Sequence, residues 1–209
     1  MTDPTLHDAR CEAATALRRL SHAMVSRDLD VSTLRRLTAA ADELANDLEP
    51  APRRDRAAML TAHVARMFGM DEEAGEVETG HAAFDVMADR AVGGPANPMG
   101  VHVEVEFVDD EVVGVATLLP AYEGGPGRAH GGMVAAIFDD ITGYVIGVHH
   151  TPAFTGELTV RFLAPVPVGV PLTVRARLEE QERRKLFIDR KSTRLNSSHS
   201  SVSRMPSSA

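Results

Sequence analysis

Two adjacent carboxylates interrupt the most apolar stretch of the sequence. Residues 133–148 have the length of a helix and are apolar almost all round, which predicts a buried helix. Asp139 and Asp140 lie in its middle, and an unpaired buried carboxylate is costly, so at least one needs a polar partner or a chemical role. Adjacent residues are about 100° apart around a helix, so at most one of the two is deeply placed. The alternative is a partly buried helix on which both acids face solvent.

The residues directly before this stretch could stabilise an oxyanion. His130 is followed by Gly131 and Gly132, and glycines allow a substrate to approach the backbone closely. The first N–H groups of a helix have no partner within it, and the helix dipole adds positive potential there. A thioester oxygen that becomes negatively charged would be stabilised at such a place. The same residues could equally form only a tight turn into the helix.

The spacing of these candidates constrains any site that they share. Gly131 and Asp139 are eight residues apart in the sequence. This separation is about 12 Å along one helix, so a single carbonyl group cannot contact both residues. If both act, the carboxylate belongs to a second copy of the helix. A two-fold dimer with facing central helices would supply it and would create two equivalent sites.

Strand patterns surround the predicted helix. Residues 101–119 alternate apolar and polar side chains on either side of an acidic turn, which predicts a β-hairpin. Further strand-like runs follow at 157–164, at 170–180 and from residue 185 onward. One long buried helix among about five antiparallel strands indicates an α+β fold in which a curved sheet wraps the helix.

The first third of the chain predicts a helical extension without a chemical motif. Apolar residues recur at steps of three and four over 5–28, and again over a second helix for which Asp30 or Ser32 can provide the N-cap. A third, weaker helix is predicted at about 55–68. We interpret these helices as packing or oligomer surface. The predicted organisation is a helical extension at 1–70, a connection at 71–98, a central domain at 99–190 and a tail at 191–209.

The tail differs from the rest of the chain in composition. Residues 191–209 contain eight serines, no acidic residue and no apolar period of 2 or 3.6. Such a composition cannot bury enough apolar surface to offset the entropy of ordering, which predicts a disordered tail. The tail also resembles the translation of a sequencing adapter. Our interpretation is that it is artefactual and that the central domain lacks its last strand.

Composition excludes several classes of function. The formal net charge is −8, so no basic surplus is available for nucleic-acid phosphates. The single cysteine, Cys11, excludes an internal disulfide and a Cys-cluster metal site. No zinc-ligand spacing, phosphate-binding loop or dinucleotide fingerprint is present, which predicts neither a metal nor a cofactor. The chain begins without the pattern of a secretory signal, and its apolar runs are shorter than the ~20 residues of a membrane span, so we expect a cytoplasmic protein.

A family resemblance is carried by the run GRAHGGMVAAIFDDITG and by the later run TGELTVRFLAPVPVG. Over roughly residues 95–190 the chain resembles the PaaI-type acyl-CoA thioesterases of the hotdog superfamily. The resemblance implies a long central helix wrapped by an antiparallel sheet, a homodimer or dimer of dimers, and hydrolysis of acyl-CoA thioesters. It implies catalytic roles for Gly131 as oxyanion donor, Asp139 as carboxylate and Thr155 as the hydroxyl that positions the water or the carboxylate. We assign substrate binding to His130, which would orient the loop, and to Gly132 and Asn97.

Alternatives remain open at this point. Asp139 could activate a water molecule as a general base, or it could attack the carbonyl carbon directly as a nucleophile. A competing function is a non-catalytic hotdog module that binds acyl-CoA or a similar ligand. A hotdog dehydratase ranks last, because such enzymes generally have an acid and a histidine five residues apart, whereas Tyr144 and Val145 follow the two acids at that spacing.

Overall fold

The structure is a computed structural model, and it describes residues 4–67, 87–149, 153–182, 185–194 and 197–206. Within these ranges three helices come first, and another, long helix lies between the strands. The helices are α1 (Pro4–Ser26), α2 (Val31–Leu48), α3 (Arg56–Met67) and α4 (Gly131–Val148). The strands are β1 (Glu104–Val108), β2 (Glu111–Thr117), β3 (Glu123–Gly125), β4 (Arg128–Ala129), β5 (Glu157–Val160), β6 (Pro171–Glu182), β7 (Lys185–Arg194) and β8 (Ser197–Pro206).

A six-stranded antiparallel sheet packs against α4. Its strand order is β1-β2-β6-β7-β8-β5, and the predicted hairpin is the pair β1–β2. The core forms where α4 meets the middle of the sheet, with Phe138 and Ile141 fully buried against Leu172 and Ile188. Among the described residues only α4 has the length and apolar character of a membrane-crossing helix, and its burial within the core accounts for that composition. The predicted α+β fold is therefore confirmed.

The helical extension is present, but α1 packs differently from its apolar pattern. The buried side chains of α1 are Ala14, Arg18 and His22. Arg18 donates from Nη1 to the backbone oxygens of Pro95 (3.0 Å) and Asn97 (2.6 Å), which holds α1 on the connecting segment. Its large apolar side chains are exposed, namely Leu6, Leu17, Leu20, Met24 and Val25. For α2, Asp30 is the N-cap, because its Oδ1 accepts a hydrogen bond from the Thr33 N–H at 2.7 Å.

The end of the chain departs from the predicted disorder. β7 continues to Arg194, and β8 fills the place between β7 and β5. The physical reason is that strands pair through backbone N–H and C=O groups. Every residue of β8 has both groups except proline, which lacks the N–H. A sheet position with a pairing strand on each side can therefore hold a serine-rich segment. The adapter origin of residues 191–209, the missing native strand and the domain boundaries stay predictions.

The inner face of β7 changes character along the strand. Leu186 and Ile188 are buried apolar residues, and the next two inward positions are Arg190 and Ser192, both fully buried. Arg190 donates from Nη1 to the Phe138 backbone oxygen at 3.2 Å, but its Nε and Nη2 and the Ser192 hydroxyl have no hydrogen-bond partner among the described residues. Burial lowers the pKa of Arg190 to about 10, although the negative charges of Asp139 and Asp189 act to raise it. The apolar alternation of the core thus ends at Ile188.

We expect Arg190→Leu to stabilise the protein. A buried charge with unsatisfied donors carries a desolvation cost that an apolar side chain of similar reach avoids. The free energy of unfolding should rise by about 1–4 kcal/mol, measured by urea denaturation. The control is Arg177→Leu, an exposed arginine on β6, which should change stability by less than ~0.5 kcal/mol. A lower denaturation midpoint for Arg190→Leu would show that the guanidinium is well accommodated.

Candidate active site

Within the described residues, one backbone N–H at the N-terminus of α4 has no hydrogen-bond partner. His130 is the N-cap, and its Nδ1 accepts a hydrogen bond from the Gly132 N–H at 3.0 Å. The N–H groups of Met133 and Val134 donate to the backbone oxygen of His130. For the Gly131 N–H no hydrogen bond is recorded within the described part of the chain. Of the two predicted glycines, Gly131 therefore keeps a free N–H for a ligand oxygen.

The position of His130 is set by the segment before it. The His130 N–H donates to the Tyr122 backbone oxygen at 2.8 Å, from the 3-10 turn Pro120–Tyr122. Gly124 lies so close that a Cβ there would be 2.7 Å from His130 Cα, so only glycine fits. His130 thus caps α4 and packs against Gly124, which are contacts that would orient this loop.

Helix α1 supports the same turn from the other side. His22 Nδ1 accepts a hydrogen bond from the Ala121 N–H at 3.2 Å, and its ring meets Tyr122 edge-on at 5.1 Å between ring centroids. Burial, and secondarily the charge of Arg18, lowers the pKa of His22, which favours the neutral imidazole that can accept this bond. The sequence analysis missed this role, because nothing in the spacing of α1 connects His22 with a turn about 100 residues later.

The two adjacent acids have different surroundings. Asp139 is exposed, and its Oδ1 accepts a hydrogen bond from the Thr155 hydroxyl at 2.6 Å. Thr155 lies in the segment directly before β5, so the hydroxyl reaches α4 from outside the helix. The structure therefore brings Asp139 and Thr155 together at the surface, as the sequence predicts, whereas their catalytic roles stay predictions.

Asp140 points into the protein. Its side chain is 8% exposed, and Oδ1 lies 3.6 Å from Nε of Arg90. Its Oδ2 lies against the backbone of Gly93, where an added Cβ would come within 2.3 Å of it. Burial raises the pKa of the Asp140 carboxyl, although the charge of Arg90 opposes this. Of the two acids, Asp139 is thus free to meet a substrate and Asp140 joins α4 to the connecting segment.

An exposed aromatic side chain lies against the N-terminus of α4. The ring of Phe162 lies against Gly131, since a Cβ on that glycine would be 3.3 Å from Phe162 Cζ. The alternation over 157–164 puts Phe162 on one face with Leu158 and Val160, but β5 ends at Val160 and the Phe162 side chain is 53% exposed. Phe154, next to Thr155, is also exposed. This apolar surface beside a free N–H donor suits a ligand with a carbonyl group and an apolar chain.

Asn97 is placed differently from the other predicted site residues. Its Nδ2 donates to the Arg90 backbone oxygen at 3.0 Å, and its Oδ1 accepts from the Met99 N–H at 2.9 Å. Its own backbone oxygen accepts from Arg18. These bonds order the connecting segment, so the structure gives the Asn97 side chain a local structural role. A substrate-binding role for Asn97 has no support from these contacts.

Comparisons with known proteins identify the same part of the chain. A family model described as "Thioesterase superfamily" matches residues 126–191. "Acyl-coenzyme A thioesterase THEM4" from Xenopus laevis is 36% identical over 72 residues, 32% of this chain and 31% of that protein. The Mus musculus protein of the same name is 35% identical over 66 residues, 32% of this chain and 28% of that protein. The chain thus matches less than a third of the length of these relatives.

One solved structure matches almost the whole chain. "Crystal structure of protein RHA08564, thioesterase superfamily protein" has a TM-score of 0.73, 26% sequence identity and 94% coverage of both chains. This coverage includes most of the helical extension as well as the sheet and α4. Together with the match of residues 126–191 to the thioesterase-superfamily model, it shows that the fold is a hotdog fold behind an N-terminal helical extension.

Proposed function

We propose that the protein hydrolyses acyl-CoA thioesters to a free acid and CoA. The observation that carries the proposal is the exposed Asp139 carboxylate, which accepts a hydrogen bond from Thr155 at 2.6 Å, on the same helix whose Gly131 N–H has no partner among the described residues. Thioester hydrolysis needs a donor for the developing oxyanion and a base or nucleophile for the carbonyl carbon. The acyl-CoA thioesterase names of the curated relatives support CoA as the thiol.

The reaction follows from these two groups. The carbonyl oxygen of the thioester binds at the Gly131 N–H, which stabilises the charge that forms during attack. Asp139 either removes a proton from the attacking water or attacks the carbon itself, forming an anhydride that water then hydrolyses. In both routes the C–S bond breaks, CoA leaves as the thiolate and takes up a proton, and the acyl group leaves as a carboxylic acid.

A second copy of the chain completes the proposed site. Gly131 and Asp139 of one α4 are about 12 Å apart along the helix axis, which exceeds the reach of a single carbonyl group. In a two-fold dimer the Gly131 N–H of one copy can meet the Asp139 of the other, which creates two equivalent sites. The exposed apolar rings of Phe154 and Phe162 lie beside these groups and would cover the acyl chain.

The assay for this function is release of free thiol from a panel of aromatic, short-chain and long-chain acyl-CoAs. We expect turnover of at least one class of substrate. Saturable binding of acyl-CoA without thiol release would instead support the competing function, a ligand-binding hotdog module. If no acyl-CoA of the panel is hydrolysed or bound, both candidate functions are refuted.

Thr155 offers a test of how the carboxylate is held. We expect Thr155→Val to lower kcat by about 10-fold or more, because a hydrogen bond to a charged group is worth about 1.5–3 kcal/mol. Thr155→Ser keeps the hydroxyl and should stay within a few-fold of the wild type. Steady-state kinetics checks both variants, with KM expected to change less than kcat. Equal activity of the valine and serine variants would show that the hydroxyl does not act on Asp139.

A further inference from the structure

A cleft of about 530 Å³ lies between α1 and the sheet, and we call it the α1 cleft. One wall is α1, and the other is formed by β1, β2 and the residues that flank these strands. Val103 and Val105 belong to the core beside α4, so the alternate residue Glu104, which lines the cleft, points to the opposite face of the sheet. The volume is in the range of small-molecule sites, about 300–1,000 Å³.

Arg18 brings a buried positive charge to the α1 cleft. It is 8% exposed, and three of its five N–H groups donate within the protein. Two of them, on Nη1, bind the backbone oxygens of the connecting segment, and one on Nη2 binds the Thr15 hydroxyl at 2.9 Å. The other two, on Nε and Nη2, have no hydrogen-bond partner in the described ranges, where Arg18 also forms no ion pair. A buried charge without a counter-ion is costly unless a ligand supplies one.

The positive charge of the cleft is not compensated by nearby acids. Arg19 is exposed at the same wall and likewise forms no ion pair with a described residue. By contrast, Arg54, Arg90 and Arg175 each lie 2.9–3.6 Å from a carboxylate oxygen. Among the described residues that line the cleft, Glu104 is the one acid against two arginines. In a chain with a formal net charge of −8, this local positive excess indicates a site for an anion.

Two imidazoles add neutral hydrogen-bonding groups to the cleft. Burial, and secondarily the charge of Arg18, lowers the pKa of both His22 and His102, while Glu104 acts to raise that of His102. Both rings are therefore predominantly neutral at pH 7. Because His22 accepts a hydrogen bond at Nδ1, its proton is on Nε2, where it can donate to an anion. His102 has a φ of 62°, a left-handed conformation that is uncommon outside glycine and that clusters at functional sites.

We propose that the α1 cleft binds a small organic anion, with its carboxylate at Arg18 and Arg19 and its apolar body against the sheet. Guanidinium groups suit a carboxylate, because their N–H donors form a planar fork that matches its two oxygens. The wall opposite α1 provides the apolar surface, namely Val101, Val115, Leu119 and Pro171. The proposal is independent of the proposed hydrolysis, because no group of the site on α4 takes part in it.

Calorimetric titration with three probes separates the contribution of charge from that of apolar contact. Octanoate has both features, 1-octanol has only the apolar body, and inorganic phosphate has only the charge. At pH 7 and constant ionic strength we expect one octanoate to bind per chain, at least about 10-fold more tightly than either of the other probes. No binding of octanoate, or equal affinity for octanoate and either other probe, would overturn the proposal.

Reversing the charge of Arg19 tests the location of the site. Arg19 is exposed and has no ion pair with a described residue, so Arg19→Glu should leave the denaturation midpoint in urea unchanged. We expect it to weaken octanoate binding by at least about 10-fold, because a repulsion replaces an attraction. Arg35→Glu, the same change at an exposed arginine of α2, is the matched control and should bind octanoate like the wild type. Unchanged affinity of Arg19→Glu would place the binding elsewhere on the chain and contradict the proposal.

The acid in the cleft gives a change of the opposite sign. We expect Glu104→Gln to tighten octanoate binding by about 2–5-fold, because it removes a charge of the same sign as the carboxylate. The matched control is Glu106→Gln, two residues along the same face of β1 and outside the lining of the cleft, which should change the affinity less. An affinity that falls or stays the same in Glu104→Gln would contradict binding in the α1 cleft.

Thiol release from acyl-CoA is measured on the same variants. Arg19→Glu and Glu104→Gln should keep the activity of the wild type, since neither residue belongs to the site on α4. Parallel loss of octanoate binding and thiol release in Arg19→Glu would place both at one site and overturn the proposal. If the wild type releases no thiol, the binding measurements still decide the anion site, so the two proposals fail separately.

Discussion

Replacing Asp139 by Asn is expected to lower kcat by at least about 100-fold. This is the usual scale of the loss when a positioned acid–base group is removed. The amide keeps the size of the side chain and its ability to accept the Thr155 hydrogen bond, but it can neither take a proton from water nor attack the carbonyl carbon. The effect therefore isolates the charge of the carboxylate from its geometry.

The stability of this variant should stay close to the wild type. Asp139 is exposed and makes one hydrogen bond among the described residues, so its replacement exposes no core residue, and Asp189 remains as a counter-charge for the buried Arg190. Denaturation in urea measures the stability, and thiol release at saturating acyl-CoA measures kcat. The matched control is Asp110→Asn, an exposed acid in the β1–β2 turn, which should keep full activity. Full activity of Asp139→Asn in the same assay would refute the proposed role of this carboxylate.

The sequence predicted the central helix and the division between the two acids correctly in outline. The apolar stretch predicted α4, and the 100° step predicted that at most one acid is buried. The spacing alone did not say which acid points inward, because this depends on Arg90, which lies 50 residues earlier in a Gly-rich connection. The family resemblance selected Asp139 as the functional acid, and the structure places that residue at the surface beside Thr155.

Other features were not predictable because they rest on contacts between distant parts of the chain. The apolar residues of α1 predict its packing face, yet α1 binds the body through Arg18, whose guanidinium satisfies two backbone oxygens of the connection. The alternation predicts a strand that continues through Phe162, whereas strand pairing ends at Val160 and the Phe162 ring lies over Gly131. A side-chain pattern reports periodicity, and it does not report where backbone pairing stops.

Removing the counter-charge of the buried Asp140 should have a large effect on stability, in contrast to the replacement of the exposed Asp139. We expect Arg90→Met to lower the free energy of unfolding by about 3–5 kcal/mol, because it leaves the charge of Asp140 buried without a counter-charge. The guanidinium also donates to the Tyr144 hydroxyl and lies 4.5 Å from the centroid of that ring, so these contacts are lost too. Urea denaturation at pH 7 measures the change.

A surface ion pair provides the control. Arg54 Nη1 lies 2.9 Å from Asp89 Oδ2, which is shorter than the 3.6 Å between Arg90 and Asp140. The Arg54 side chain is 36% exposed, however, and exposed pairs are worth only about 0–1 kcal/mol. Arg54→Met should therefore cost far less than Arg90→Met. Equal losses would show that Asp140 is not held as a buried charge.

The pH dependence of stability tests whether the charge of Asp140 causes the loss of stability in Arg90→Met. Burial raises its pKa in the folded protein, so its contribution to stability is present below its pKa in the unfolded chain and is lost as the pH rises through its pKa in the folded protein. Without Arg90 the opposing attraction is gone, so the free energy of unfolding of Arg90→Met should fall more steeply above about pH 4 than that of the wild type. Adding Asp140→Asn to Arg90→Met removes the titrating group and should abolish this extra slope. A slope that persists in the double variant would assign the pH dependence to another carboxylate.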